Sequence, residues 1–104
     1  MIALFIDTSN NKEVSVSLTI DGTEFAATQP IDTRKAQAVL PLVEQLLQEH
    51  NRTLQDITTI EVNPGPGSFT GLRVGATIAN TLGFLLQVPV NGKLVGEIVT
   101  PLYN

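Results

Sequence analysis

The segment that most constrains this chain is a run of prolines and glycines that leads directly into an apolar stretch. It reads Asn-Pro-Gly-Pro-Gly-Ser-Phe-Thr-Gly-Leu-Arg-Val-Gly over residues 63–75. Prolines and glycines interrupt a preceding strand, and serine is a preferred residue at a helix N-terminus. The segment therefore predicts a tight strand-to-helix turn, followed by a helix from about Ser68 to about Gln87.

This turn leaves two interpretations open. The first is an anion site, because a helix N-terminus at the mouth of a sheet favours negative charge. The second is a turn without a ligand, since the segment lacks the lysine and the spacing of a Walker loop. The residues that would face an anion are Gly65, Gly67 and Ser68.

The first third of the chain predicts a three-stranded antiparallel meander. Residues Ile2–Ile6 form a continuous apolar run, and Val14–Ile20 alternates apolar with polar side chains. These patterns are typical of a buried and of a half-buried strand. Asp21-Gly22 is a strong hairpin signal, so Thr23–Thr28 is predicted to return as the third strand.

The rest of the chain completes the predicted order βββ-α-β-α-β. A first helix is predicted from Asp32 or Thr33 to about His50, with a kink at Pro41, because an interior proline removes a backbone hydrogen bond. The other predicted elements are a strand at Leu54–Glu61, the second helix and a strand at Val88–Val90. The tail from Gly92 is ambiguous, and a short helix up to Thr100 stays open. A hairpin followed by β-α-β crossovers gives a mixed five-stranded α/β sheet with helices packed on it.

Length and charge exclude several classes of function. The chain has 104 residues, so we predict one domain over residues 1–104. A net charge of −4 disfavours direct binding of nucleic acid phosphates. The absence of cysteine from the sequence excludes thiolate metal sites, and we expect no segment that spans a membrane. These observations favour a cytoplasmic protein that binds neither nucleic acid nor membrane directly.

The second predicted helix carries a ridge of small residues, spaced four apart. The spacing places them on one helical face, and each interior glycine destabilises a helix by about 0.5–1 kcal/mol relative to alanine. A small-residue ridge lets another backbone approach, either within the chain or from another subunit. The predicted interface residues are Gly71, Leu72, Gly75, Ile78, Ala79, Leu82 and Gly83. If the ridge faces inward, the alternatives are Leu72, Ile78, Asn80 and Phe84.

Residues 65–75 closely resemble the central signature of the TsaB family. Three shorter matches keep the same order, namely Ile6-Asp7-Thr8-Ser9, Leu40-Pro41-Leu42-Val43 and Val88-Pro89-Val90. The resemblance runs from about Ile2 to Val90, which corresponds to the first of the family's two lobes. It implies an actin/Hsp70/sugar-kinase type of lobe, related to the ribonuclease H-like fold, without the second lobe.

The resemblance also implies which loops to examine. In the wider superfamily the aspartate of the first strand and its turn face nucleotide phosphates and metal. Asp7, Thr8 and Ser9 occupy that place, so they and the Gly65, Gly67 and Ser68 turn are interpreted as vestigial phosphate-loop positions. The alternative is that Asp7 and Ser9 only end a strand with Asx-type hydrogen bonds. Without a second lobe to close over a nucleotide, no cofactor is expected.

The sister family of catalytic, TsaD-like subunits carries a His-x-x-x-His metal pair after the fifth strand. The corresponding residues 90–97 contain no histidine, and His50 is the only one in the sequence. The resemblance therefore implies a non-catalytic subunit that pairs through its helices with a TsaD-like threonylcarbamoyltransferase in making threonylcarbamoyladenosine on tRNA. A TsaE-like ATPase is a further expected partner, and a homodimer is expected where the catalytic subunit is absent.

Two other functions stay open from the sequence. One is a nucleotide-binding half-enzyme of the kinase class that is completed by homodimerisation. The other is a structural homodimer without a role on tRNA.

Overall fold

The fold is a four-stranded mixed sheet with two long helices, described over residues 1–30 and 35–101 by a computed structural model. In chain order the elements are β1 (Ile2–Asp7), β2 (Glu13–Ile20), β3 (Thr23–Pro30), α1 (Lys35–Glu49), a 3₁₀ turn (Leu54–Asp56), β4 (Thr59–Val62) and α2 (Phe69–Leu86). Asp32 and Thr33, the predicted caps of α1, lie outside the described residues.

The strands lie in the order β3-β2-β1-β4. The first three strands pair antiparallel, and β4 pairs parallel with β1. The β2–β3 hairpin closes through Asp21 and Gly22, whose φ angles of 50° and 90° are those of a type I′ turn. The predicted meander is confirmed, and the chain crosses over through α1 to place β4 beside β1.

Both helices share one core with the sheet. Ile2, Leu4 and Ile6 on β1 are buried, whereas Phe5 between them is 39% exposed. α1 contacts β2 and β3, and α2 contacts β4 and β1. Val39 and Val43 of α1 belong to the same buried cluster as the β1 side chains. Burying each such side chain stabilises the fold by about 1.5–3 kcal/mol.

The boundaries of α2 match the sequence prediction. Ser68 is the N-cap, where its Oγ accepts a hydrogen bond from Gly71 N at 3.3 Å, and Gln87 is a left-handed C-cap. The helix has 18 residues and a mean hydropathy of 1.2, which is the length and composition of a short membrane span. A core helix of a soluble protein meets this description as well, so the expectation that no segment spans a membrane stays a prediction.

Two predicted strands differ from the structure. The residues Leu54–Asp56 form a 3₁₀ turn, because Asp56 Oδ2 accepts hydrogen bonds from Thr53 N at 2.8 Å and Thr53 Oγ1 at 3.3 Å. The strand therefore begins only at Thr59. Within the described ranges, the predicted fifth strand at Val88–Val90 is reduced to a single parallel bridge between Ile60 and Val90.

The short tail helix that the sequence left open is not formed between residues 91 and 100. Lys93 N donates to Val90 O at 3.1 Å and Glu97 N to Leu94 O at 3.0 Å, which gives two isolated turns. α1 runs through Pro41 without ending there. The proline therefore does not divide the predicted first helix.

Candidate functional site

The turn after β1 and the loop before α2 meet in one cluster of polar side chains. Asp7 Oδ1 accepts hydrogen bonds from Ser9 N at 3.0 Å, from Ser9 Oγ at 2.6 Å and from Asn63 Nδ2 at 3.3 Å. Asn63 Nδ2 also lies 3.2 Å from Ser9 Oγ. The cluster forms because β1 and β4 are parallel neighbours, so their carboxyl ends lie at the same edge of the sheet.

The loop before α2 approaches the β1 turn through its backbone. Ser68 N donates to Ser9 O at 2.9 Å. A Cβ on Gly67 would lie 2.6 Å from Ser9 Cβ and 2.9 Å from Ser9 O, so no side chain fits at this position. Gly65 N donates to Asn63 Oδ1 at 3.0 Å. The predicted loop positions therefore do converge in space.

These contacts also show what the cluster does within the chain. The bond from Ser9 N to Asp7 Oδ1 is the Asx-type interaction that the sequence offered as the alternative to a ligand site. Among residues 1–30 and 35–101, no group of three or more His, Cys, Asp or Glu side chains could hold a metal ion. The interpretation of this edge as a vestigial phosphate loop stays a prediction.

Asn63 is the member of the cluster to which sequence reasoning assigned no role. Its amide joins both loops, because it donates to Asp7 and Ser9 and accepts from Gly65. The available signal was its position directly after β4, at the edge where β1 also ends.

The small-residue ridge of α2 packs inside the chain. A Cβ on Gly75 would overlap the Thr8 hydroxyl and lie 3.2 Å from Val62 Cγ2. A Cβ on Gly83 would overlap Val90 and lie 3.2 Å from Val88 O. Of the seven predicted interface residues, six are buried, namely Gly71, Leu72, Gly75, Ala79, Leu82 and Gly83. Ile78, the seventh, is half-buried at the margin of the ridge, so docking by α2 would use the side of the helix opposite the ridge, together with Ile78.

That opposite side, which we call the outer face of α2, is almost free of charge. It comprises Phe69, Thr70, Arg73, Val74, Thr77, Ile78, Thr81, Phe84 and Leu85. Phe69, Phe84 and Leu85 are 57%, 65% and 68% exposed, and Arg73 is the only charged residue of the helix. The Arg73 guanidinium lies 5.8 Å from the centre of the Phe69 ring. A shallow depression of about 330 Å³ is lined by Thr70, Arg73, Val74, Thr77 and Ile78.

His50 has a structural position. It is half-buried just after α1, and its ring centre lies 3.9 Å from that of Phe25 on β3. The only histidine of the sequence therefore packs against the sheet, away from the polar cluster.

Comparison with known proteins identifies the chain's relatives. A family model described as TsaD, tRNA N6-adenosine threonylcarbamoyltransferase, matches residues 30–92, which is more than half of the chain. The chain belongs to this family. Within the family it is TsaB-like. It is 30% identical to the TsaB protein of Bacillus subtilis over 100% of this chain and 50% of that protein. It is 37% identical to the TsaB protein of Escherichia coli over 88% of this chain and 39% of that protein.

A solved structure gives the same assignment. YeaZ from Pseudomonas aeruginosa superposes with a TM-score of 0.80 at 36% identity, over 86% of this chain and 41% of that one. The predicted actin-like lobe is therefore confirmed, apart from its fifth strand. The TsaB-like chain spans half or less of the length of these relatives.

Proposed function

We propose that the TsaB-like chain takes part in tRNA threonylcarbamoyladenosine biosynthesis as a non-catalytic subunit. It docks a TsaD-like threonylcarbamoyltransferase through the outer face of α2. The relatives named for this biosynthesis support the pathway, and the TsaD family model supports the class of partner. The observation that carries the docking is the exposure of Phe69 and Phe84 on a helix with one charged residue.

The chemistry of the outer face fits a protein partner. An exposed side of a helix normally carries charged residues, and a contiguous apolar patch marks an interaction site. Phe69, Arg73 and Phe84 are of residue types enriched in interface centres. The intervening Thr70, Thr77 and Thr81 are uncharged and short, so a partner helix can approach closely between the aromatic anchors.

The non-catalytic role is supported by the contacts that Asp7 and His50 already make within the chain. Asp7 already accepts three hydrogen bonds within the chain, and His50 packs on Phe25. The sequence has no histidine pair at residues 90–97. We therefore assign the transfer reaction to the partner. A TsaE-like ATPase as a further partner, and a cytoplasmic location, stay predictions.

A binding measurement with paired variants tests the docking. Thr77→Arg places a second cation in the middle of the outer face, whereas Gln55→Arg adds the same charge to the exposed 3₁₀ turn. We expect Thr77→Arg to weaken binding to a purified TsaD-like protein by about tenfold or more, and Gln55→Arg to leave binding within about twofold. Both variants should keep the wild-type melting temperature. Unchanged affinity in the Thr77→Arg variant would contradict the proposal.

The nucleotide-binding alternative rests on the convergence of Asp7, Ser9 and Ser68 at one sheet edge. Calorimetric titration of Mg·ATP into the chain alone separates it from docking. We expect no saturable heat, because the hydrogen bonds of the cluster are satisfied internally. Saturable binding in the micromolar range would favour the kinase-class interpretation.

A further inference from the structure

The two edge strands of the sheet, β3 and β4, differ in how their outward backbone groups are hydrogen-bonded. Those of Ile60 and Val62 on β4 all have partners. Ile60 N donates to Pro89 O at 3.0 Å, and Asn91 N donates to Ile60 O at 2.9 Å. Val62 N donates to Asn91 Oδ1 at 2.8 Å, and Asn91 Nδ2 donates to Val62 O at 3.0 Å. The outward backbone groups of Ile60 and Val62 are thus all bonded, half of them by one side-chain amide.

The other edge strand, β3, has outward backbone groups that are available to a further strand. The type I′ turn makes Ile20 and Thr23 a hydrogen-bonded pair, so every second residue after Thr23 directs its N–H and C=O away from β2. Those with an outward N–H are Glu24, Ala26 and Thr28, since Pro30, the next in this alternation, has none. In the part of the chain that the structure describes, their outward backbone groups have no hydrogen-bond partner.

Features that usually protect an edge strand are sparse on β3. Proteins guard such edges with lysines, prolines, bulges or a covering element. β3 has no lysine or arginine, and it pairs with β2 over all eight residues without a bulge. Its only charged residue is Glu24, and its only proline, Pro30, is the last residue. The middle of β3 is therefore competent to add a further strand.

We propose that β3 pairs antiparallel with β3 of a second copy of this chain, with Ala26 opposite Ala26 at a two-fold axis. The two four-stranded sheets would then form one continuous sheet. In this register Glu24 of each copy faces Thr28 of the other, so all three outward N–H groups of each strand find a partner.

The neighbouring registers are less favourable. Centring on Glu24 places two like charges directly opposite each other, which is destabilising. Centring on Thr28 places Pro30, which has no N–H, opposite Ala26. A shift that pairs Glu24 with Ala26 brings Thr28 against the turn residue Gly22. The Ala26 register alone uses the N–H and C=O groups of three residues on each strand.

This dimer is independent of the proposed function. β3 and β4 are the two ends of the strand order, and α2 contacts β4 and β1. The outer face of α2 therefore stays accessible in the dimer, and docking of a TsaD-like protein can fail or succeed without affecting β3 pairing.

Two substitutions at one position test the register. Thr28→Lys places a cation opposite Glu24 of the second copy, and Thr28→Glu places an anion there. Both remove the 3.1 Å contact between Thr28 Oγ1 and Ser15 Oγ, so they perturb the single chain alike. We expect sedimentation equilibrium to show a dimer whose Kd falls about 2- to 30-fold with lysine and rises by a similar factor with glutamate.

Hydrogen exchange provides a second measurement. Raising the protein concentration should slow exchange of the Ala26 and Thr28 amides, and leave Phe25 and Ala27, already bonded to β2, unchanged. A chain that stays monomeric to about 1 mM would overturn the proposal. So would a dimer whose affinity shifts in the same direction in both Thr28 variants, or one in which the Ala26 amide gains no protection.

Discussion

The hydroxyl of Thr8 fills the space that a side chain on Gly75 would need. Thr8 is fully buried and donates to Gly71 O, so its hydroxyl cannot turn away without losing a buried hydrogen bond. Gly75 lies inside α2, and the requirement for glycine is therefore one of volume. The close approach of α2 to β1 and β4 offsets the destabilising effect of interior glycines on the helix.

Gly75→Ala should lower the free energy of unfolding by about 1–3 kcal/mol, because the added methyl group displaces Thr8 or Val62. Urea denaturation measures the change, with Thr77→Ala on the outer face as a control expected within about 0.5 kcal/mol of wild type. Adding Thr8→Ala to Gly75→Ala should recover part of the loss. Wild-type stability in the Gly75→Ala variant would show that the packing of α2 on β1 is looser than described.

Asp7→Ala should destabilise the chain by about 1–3 kcal/mol, since Ser9 and Asn63 lose the acceptor of three hydrogen bonds. Asp7→Asn keeps one side-chain oxygen and should lose less. Chemical denaturation of the two variants gives the comparison. Equal losses of stability in the two variants would mean that hydrogen bonds to Asp7 Oδ1 do not hold the two loops together.

Asn91→Gly should also destabilise the chain by about 1–3 kcal/mol, because both side-chain bonds to Val62 disappear. Asn91 has a φ of 53°, so Asn91→Ala should lose roughly 1 kcal/mol more through backbone strain. Hydrogen exchange should accelerate at the Val62 amide in both variants. Unaltered exchange there would refute the bridging role of the amide.

Asn80→Ala should release the tail from α2. Asn80 Nδ2 donates to Val99 O at 3.0 Å, and Val99 N donates to Asn80 Oδ1 at 2.8 Å. We expect faster tryptic cleavage after the exposed Lys93, with the sheet and α1 still folded. Thr81→Ala, at the next residue of α2, is the matched control. Equal cleavage rates in the two variants would show that the Asn80 hydrogen bonds do not anchor the tail, and that burial of Val99 is sufficient.

The sequence predicted the elements whose ends are set by nearby residues, namely the β2–β3 hairpin and α2. Asp21-Gly22 determined the hairpin, and Ser68 and Gln87 delimit α2 in the structure as in the prediction. The prediction failed at Leu54–Asp56, where hydrogen bonds between Thr53 and Asp56 override an apolar pattern. It failed again at Val88–Val90, because beyond one bridge the side chain of Asn91 satisfies the edge of β4.

The candidate sites were predicted in part. Convergence of the Asp7 and Ser68 loops follows from β1 and β4 being parallel neighbours. The predicted element order did not specify this adjacency, and only the family resemblance assigned both loops to one site. The role of Asn63 depends on how one amide is oriented between two loops, which no spacing reveals. The four-residue period of the glycines identified a ridge on α2. Whether that ridge faces the sheet or the solvent depends on where Thr8 and Val90 lie in the folded chain, and the sequence does not give their positions.

Steric fit to Thr8, Val62 and Val90 restricts the residues allowed on one side of α2, whereas packing within the chain sets no such limit on the exposed residues of the other side. Mutations can therefore accumulate along the solvent side at little expense to folding. A lineage built on this scaffold would be able to exchange its binding partners while its architecture stays constant.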